Sequence, residues 1–401
     1  MQDTALPSAQ DFAAHPFLAG NRLQLLASGR EYFPSLMAAI DAARHEVHLE
    51  TYIFADDVTG RQVAATLARA ALRGVAVHVL VDGFGAREFA AGLGAELAAD
   101  GVEVMTYRPE VGQTRFRRHR LRRLHRKLSV VDGSLAFVGG INVLDDFDDG
   151  KSAAARFDYA VRIEGPLVAR IHATMRHVWR LVRWARLGRR PPRPSALPAT
   201  PPVQGTTAAA LLIRDNLRHR RDIENAYLVA IHGARREIVI ANAYFLPGRR
   251  FRKALLAAAK RGVSVKLLLQ GRIEHVLQHY ATQSLYDRML AAGVRVFEYD
   301  KAFLHAKVAV IDGEWATVGS SNIDPFSLLL AREANVVVRD ADFAGQLRAS
   351  LEAAMQGAAT EIRREDQRRR SWLLRLASAA AYSLVRMLIG VTRYAGKQYV
   401  E

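Results

Sequence analysis

The sequence predicts an α/β protein built from two tandem copies of one sandwich unit, and three observations carry that expectation. His125-Arg-Lys127-Leu-Ser-Val-Val-Asp132 recurs as His305-Ala-Lys307-Val-Ala-Val-Ile-Asp312, 180 positions later. Both copies run on in frame, to Gly139-Gly140-Ile-Asn142 and to Gly319-Ser320-Ser-Asn322, with the Asn 17 residues after the His each time. Strand-like apolar runs alternate with helical segments through each half, the pattern of a sheet covered by helices. Two such units paired about a pseudo-two-fold axis would set the two motifs face to face.

The elements repeat in order. Glu46-Val-His-Leu-Glu-Thr-Tyr-Ile-Phe54 and Glu237-Ile-Val-Ile-Ala-Asn-Ala-Tyr-Phe-Leu246 each read as a strand ending in an aromatic. Ala71-Leu-Arg-Gly-Val-Ala-Val-His-Val-Leu-Val81 and Lys260-Arg-Gly-Val-Ser-Val-Lys-Leu-Leu-Leu269 each read as a helix stopped by Gly and followed by a buried strand. In the motif, Leu128–Val131 and Val308–Ile311 lead through Asp132-Gly133 and Asp312-Gly313 into second apolar runs, the signature of a hairpin closed by an Asp-Gly turn. His and Lys two apart share one face of a strand. The Asp, about 20 Å further along at roughly 3.3 Å per residue, belongs to the turn. The Asn returns on the partner strand, so His, Lys and Asn converge while Asp does not.

Length and composition set the frame. With 401 residues, half of them hydrophobic, two units with substantial cores are expected at 1–185 and 207–360. A Pro- and Arg-rich linker at 186–206 separates them, and a basic amphipathic tail occupies 361–401. Cysteine is absent, which excludes disulfides and thiolate metal sites and fits a reducing compartment. The net charge of +17 predicts anionic partners, either nucleic acid or an acidic membrane surface. One basic run, Arg115-Phe-Arg-Arg-His-Arg-Leu-Arg-Arg123, leads directly into the first motif.

No signal-peptide pattern opens the chain, and no window of about 18 uncharged apolar residues is present. The nearest approach is Ser371–Val391, in which Arg375, Ser378, Tyr382 and Arg386 share one helical side and Leu, Ile, Val, Met and Ala form the rest. That pattern predicts a helix lying in a lipid interface, with Arg368–Arg370 as an electrostatic anchor. The alternative is a terminal helix packed on its own unit.

At these residues the chain resembles the phospholipase D superfamily over nearly its whole length. Glu50-Thr-Tyr-Ile-Phe54, Val81-Asp-Gly-Phe-Gly85, Gly139–Asn142, Ile163-Glu-Gly-Pro166, Ala243-Tyr-Phe-Leu-Pro247 and Gly319-Ser-Ser-Asn-Ile-Asp324 are similar to bacterial cardiolipin synthases. The likeness is to the shorter type, without the two N-terminal transmembrane helices of larger members. It implies a peripheral enzyme on the cytoplasmic face of the bacterial inner membrane. It also implies catalytic residues His125, Lys127, Asp132, His305, Lys307 and Asp312, with His125 as nucleophile. Asp158 and Glu333 match the family's acidic residue that hydrogen-bonds the histidine downstream of each motif. At Arg156-Phe-Asp158 the family commonly has a Trp-Arg-Asp-like tripeptide; the acid is kept and the aromatic changed.

The residue types fit phosphodiester chemistry that needs neither metal nor cofactor. A neutral imidazole can attack phosphorus to give a phosphohistidine, and a protonated one can deliver a proton to the leaving alcohol. Lys127, Lys307, Asn142 and Asn322 would bind the non-bridging oxygens. With phosphatidylglycerol as acceptor at a membrane surface the product is cardiolipin; with water the enzyme is a phospholipase or a nuclease. A binding protein with a decayed site is disfavoured by the intact motifs. Nucleic acid is disfavoured by the apolar tail and by the few aromatics near the basic runs. Unduplicated histidines, His45, His48, His78, His232 and His275, read as structural. Asp145–Asp149 lacks the spaced ligands of a calcium loop and reads as a solvated turn. The second phospholipid, the balance of transfer against hydrolysis and the oligomeric state stay open.

Overall fold

The computed structural model describes residues 15–109, 123–146, 155–187, 199–215, 218–324, 331–369 and 371–391. Most of the basic run at 115–123, Asp148 and Asp149, and the linker segment 188–198 lie outside the described residues.

The first half contains β1 (Leu18–Ala27), α1 (Ser28–Asp41), β2 (Glu46–Thr51), α2 (Val58–Leu72), β3 (Ala76–Asp82), α3 (Leu93–Ala99) and β4 (Glu103–Tyr107). The short β5 (Arg123–Leu124) follows, then the motif hairpin β6 (Lys127–Val131) and β7 (Leu135–Gly139), β8 (Tyr159–Glu164) and the long α4 (Leu167–Leu187). The second half repeats this as β9 (Thr207–Arg214), α5 (Asp222–Gly233), β10 (Glu237–Asn242), α6 (Arg249–Lys260) and β11 (Ser264–Gln270). It continues with α7 (Val276–Gln283), α8 (Tyr286–Ala291), β12 (Arg295–Tyr299), hairpin β13 (Lys307–Ile311) and β14 (Trp315–Gly319), β15 (Ala331–Arg339) and α9 (Ala341–Gly357). A short β16 (Ala359–Ile362), α10 (Arg364–Arg369) and α11 (Trp372–Val391) end the described chain.

The strands lie in the order β4-β3-β2-β6-β7-β8-β1 in one half and β12-β11-β10-β13-β14-β15-β9 in the other. Corresponding strands therefore occupy corresponding places. β1 and β9 pair antiparallel, which fuses the half-sheets into one, and β16 extends the far edge beside β12.

The alternation of side chains explains the layering. One face of the first half-sheet packs Val47, Leu49, Val77 and Val79 under α1 and α2, and the matching face of the second packs Ile238, Ile240, Val265 and Leu267 under α5 and α6. The other faces meet. Leu128, Val130, Val138 and Val161 share a core with Val308, Val310, Val318 and Val336, closed by α4 and α9. At about 1.5–3 kcal/mol for each large apolar side chain buried, this shared layer locks the halves together. Two tandem sandwich units were expected, and they are present; their common core is a feature that duplication alone does not reveal.

Candidate active site

Each motif hairpin turns on two residues of positive φ, Asp132 (49°) and Gly133 (61°), or Asp312 (54°) and Gly313 (70°). Ser134 N donates to Val131 O and Glu314 N to Ile311 O, which closes the tight turn that matches strand twist. The motif aspartates are spent here. Asp132 accepts from the backbone N–H of Arg44, His45 and Glu46, and Asp312 from those of Arg235, Arg236 and Glu237, all at 2.8–3.0 Å. These amides hold both carboxyls below their ordinary range, although partial burial opposes them. Counting Asp132 and Asp312 as catalytic is corrected by this geometry: they fix the entry to β2 and β10 at the far end of the strands.

The opposite ends of β6 and β13 meet at the seam between the halves. β5 pairs with β15 in parallel, and His125 N donates to Arg332 O at 3.0 Å. Phe157 bridges Leu304, and His305 N donates to Phe157 O at 2.8 Å. Each histidine is thus stitched to the backbone of the other half, and its carboxyl partner comes from there too. His125 Nδ1 lies 3.1 Å from Glu333 Oε2, and His305 Nδ1 lies 2.6 Å from Asp158 Oδ2. A carboxylate only accepts, so His125 Nδ1 carries the ring proton and its Nε2 is left as the basic nitrogen, whereas His305 Nδ1 lies between Asp158 and Lys307 Nζ, the latter at 2.8 Å.

The lysines close around the same point. Lys127 Nζ donates to the His125 carbonyl at 2.8 Å. Lys307 Nζ donates to the His305 carbonyl and lies 3.6 Å from Asp158 Oδ2. Burial drives Lys127 down to about 7 and Lys307 down to about 8, each partly restored by Asp158 and Glu333. His305 falls to about 3 through burial and the Lys307 ammonium beside it. His125 is lowered chiefly by burial, against the pull of Glu333. Asp158 is held below its ordinary range by Lys307 and His305, which outweigh its burial. Charges of one half thus act on titrating groups of the other.

The asparagines are less directly engaged. Asn142 Oδ1 accepts from Ile53 N at 3.2 Å, while Asn322 Oδ1 is buried without a hydrogen-bond partner. Neither is bonded to a histidine in the described structure.

Several supporting groups escaped the sequence reading. Tyr52 packs its ring 4.8 Å from that of His125, where the second half has Ala243. Arg126, between the motif His and Lys, makes a buried pair with Glu50 at 2.5 and 3.0 Å; their counterparts are Ala306 and Ala241. Ser320 donates to Glu333 Oε2 at 2.5 Å. Its counterpart Gly140 admits no side chain, since a Cβ there would lie 2.4 Å from Asp158 Oδ1. The Gly/Ser difference between the motif copies was the visible trace of this contact. Phe157, in the altered tripeptide, stacks on Tyr299 at 5.1 Å and lines the seam.

The profile of the family described as "Cardiolipin synthase, PLD-like domain" matches residues 36–179 and 227–355, so each match contains one motif. The chain belongs to this family of phospholipase D-like cardiolipin synthases. Within the family, the chain is 38% identical over 377 residues to cardiolipin synthase B of Escherichia coli strain K12, spanning 92% of this chain and 88% of that protein. It is 33% identical over 366 residues to cardiolipin synthase A of Pseudomonas putida, spanning 91% and 74%. The fold also matches the crystal structure of phosphatidylserine synthase from Haemophilus influenzae Rd KW20, with a TM-score of 0.70 at 13% identity over 94% of this chain and 98% of that one. As a phospholipase D-like cardiolipin synthase, the protein is an enzyme of the phosphatidyltransferase class.

Proposed function

We propose that the enzyme makes cardiolipin at a membrane surface from phosphatidylglycerol and a second phospholipid, through a phosphohistidine and with lysines in place of a metal. The observation that carries this reading is the crossed pairing of His125 with Glu333 and His305 with Asp158, which builds one site from both halves.

Both imidazoles are held toward neutrality by burial. A neutral His125 attacks phosphorus through Nε2 while the bond to the departing glycerol oxygen breaks. His305 supplies the proton that this oxygen takes. It can do so because an arriving phosphodiester anion raises the proton affinity of the ring beside it, and Asp158 stabilises the imidazolium. The incoming hydroxyl then gives its proton back to His305, attacks phosphorus and releases His125. Lys127 and Lys307, with the side-chain amides of Asn142 and Asn322, bind the non-bridging oxygens throughout.

Membrane attachment rests on α11. Ser378 and Tyr382 of its polar side turn toward the protein rather than water: Ser378 is buried beside Val385, Tyr382 is half-buried, and the Tyr382 hydroxyl accepts from Arg252 at 3.1 Å. The helix therefore packs on its own unit, the alternative weighed from sequence, yet it keeps an apolar side outward. Trp372, Leu374, Leu376, Leu384 and Met387 are exposed, and the neighbouring α7 adds exposed Val276 and Leu277. Exposed apolar side chains on adjacent helices suit insertion into a lipid interface at the cytoplasmic face of the inner membrane. No helix among the described residues is long and apolar enough to cross a membrane.

The test is incubation of purified protein with phosphatidylglycerol vesicles and mass spectrometry of the products. Cardiolipin with an equivalent of glycerol is expected, and His125→Ala or His305→Ala abolishes both. Cleavage of DNA or bis-p-nitrophenyl phosphate without any cardiolipin would replace transfer by hydrolysis.

A further inference from the structure

Away from the catalytic centre the first half gathers three histidines around one carboxylate. Glu46 and His48 lie on β2, His78 beside His48 on β3, and His172 on α4. His48 Nε2 is 3.1 Å from Glu46 Oε2, and His172 Nε2 is 3.3 Å from Glu46 Oε1. One ligand atom from each of Glu46, His48 and His172 falls within 4.8 Å of the other two. A tetrahedral zinc ion with ligands at 2.0–2.1 Å spaces them about 3.3–3.4 Å apart; each histidine is near that distance from one Glu46 oxygen, but the two contacts run to different oxygens, so binding draws the three donors closer together.

Two of the imidazoles carry a buried nitrogen without a hydrogen-bond partner. His172 is 1% exposed; its Nε2 meets only Glu46, at 3.3 Å, and its Nδ1 has no hydrogen-bond partner. His78 Nδ1 is likewise buried and unpartnered, with its ring centroid 4.6 Å from that of His48. Buried polar atoms without partners are costly and uncommon, and a bound ion is one of their standard explanations.

Internal symmetry shows what the fold does at this place without histidines. Glu237 corresponds to Glu46, Val239 to His48 and Lys266 to His78. There Arg348 of α9 binds Glu237 at 2.5 Å, and Lys266 binds Glu352 at 3.2 Å. Fixed cations thus neutralise the second half's acids. In the first half, Glu46 has no ammonium or guanidinium group on it among the described residues, only the imidazoles of His48 and His172.

We propose that Glu46, His48 and His172 bind one divalent transition-metal ion, zinc fitting the two-nitrogen, one-oxygen donor set best, and that it pins α4 to the sheet. His78 and Trp179 wall the site. The Glu46 side chain is 32% exposed, which leaves an entry path and a fourth position for water. The ion is structural and takes no part in phosphoryl transfer. It sits beside the Asp132 turn, whose carboxylate holds the Glu46 amide.

The experiment uses the full-length, tag-free protein loaded with equimolar zinc sulfate and gel-filtered. Elemental analysis is expected to find one zinc per chain, at least tenfold less in His48→Gln/His172→Gln, and less in Glu46→Gln. Cobalt substitution should give the intense visible absorption of a tetrahedral ion, and dipicolinate should lower the thermal midpoint of the wild type but not of the double variant. Metal-free wild type after loading overturns the proposal. So does zinc that survives in a folded double variant and is lost instead in Asp222→Asn, which would place it at His15, His219 and Asp222. None of these readouts depends on lipid turnover, so their failure is distinct from failure of the catalytic reading.

Discussion

Glu333 stands 3.1 Å from the ring of His125, a residue 208 positions earlier in the other half of the molecule. Asp158 repeats the exchange with His305 at 2.6 Å. Neither half-site is complete without the other, so Glu333→Gln is expected to change the tautomer of His125 and leave that of His305 alone. Ring nitrogen shifts in 15N NMR would read this directly. Turnover should fall about 10- to 100-fold, the usual penalty for losing a carboxylate behind a functional imidazole. A shift change confined to His305 would refute the crossed assignment.

If His125 is the nucleophile, brief reaction with a lipid phosphodiester should leave a covalent adduct on that residue. The adduct is a phosphoramidate, so it should survive alkali and be lost in acid. Intact-mass and peptide mapping would find it in wild type and not in His125→Ala. Mapping to His305 instead would exchange the roles of the two rings.

Arg126 and Glu50 are 2% and 4% exposed. Removing one partner leaves a buried charge, and Arg126→Ala is expected to cost about 3–5 kcal/mol. The double change Glu50→Ala/Arg126→Ala should restore much of this, because the second half already packs Ala241 and Ala306 at the same places. Chemical denaturation of the three proteins checks it; equal losses in the single and double variants would count against the pair.

Stability should fall on acidification partly through His305. Its folded value of about 3 lies below an unperturbed value of about 6.5, so between these limits the unfolded chain binds a proton that the folded chain does not. Stability is therefore present above about 6.5 and declines as pH drops toward 3. His78, lowered by burial to about 4, acts in the same direction. His305→Gln should flatten the slope in thermal unfolding between pH 4 and 6, at roughly these limits. An unchanged slope would exclude His305 as a contributor.

The lysines give a second pH signature. With Lys127 near 7 and Lys307 near 8, the empty site loses positive charge as pH rises through that range. Inhibition by vanadate should weaken accordingly above pH 7, and Lys127→Met should remove the lower of the two transitions. A flat profile from pH 6 to 9 would show that both ammonium groups keep their protons.

Removing residues 371–401 should release the protein from phosphatidylglycerol vesicles, and Leu384→Lys/Met387→Lys should weaken co-sedimentation while preserving the fold. Binding unchanged in both would retire the α11 anchor.

The duplicated letters were informative because each states a local rule. Asp-Gly between apolar runs specifies a turn with positive φ, and strand spacing moved Asp132 and Asp312 away from the chemistry before any coordinates did. The resemblance counted them as catalytic, and the backbone amides they hold show why a repeated residue need not touch substrate. Arg126 and Tyr52 were not legible, because each has a different residue in the other copy and so no repeat to draw attention to it, and Ser320 showed only as a Gly/Ser difference whose meaning the contact with Glu333 supplies. Arg126 looked like one more basic residue in a basic run; only its burial against Glu50 sets it apart. The polar side of α11 was visible as a pattern, but pattern alone cannot say whether such a side meets water or protein.

By itself the sequence determined the repeat, the α/β class, the hairpins and the chemical character of the twin His–Lys sets, since these follow from periodicity, turn residues and side-chain chemistry. The tertiary structure decided which carboxyl lies against which histidine, that the halves share one core, and that burial lowers the proton affinity of His125, Lys127, His305 and Lys307. Those are consequences of residues far apart in the chain being excluded from water together, and no local pattern encodes them.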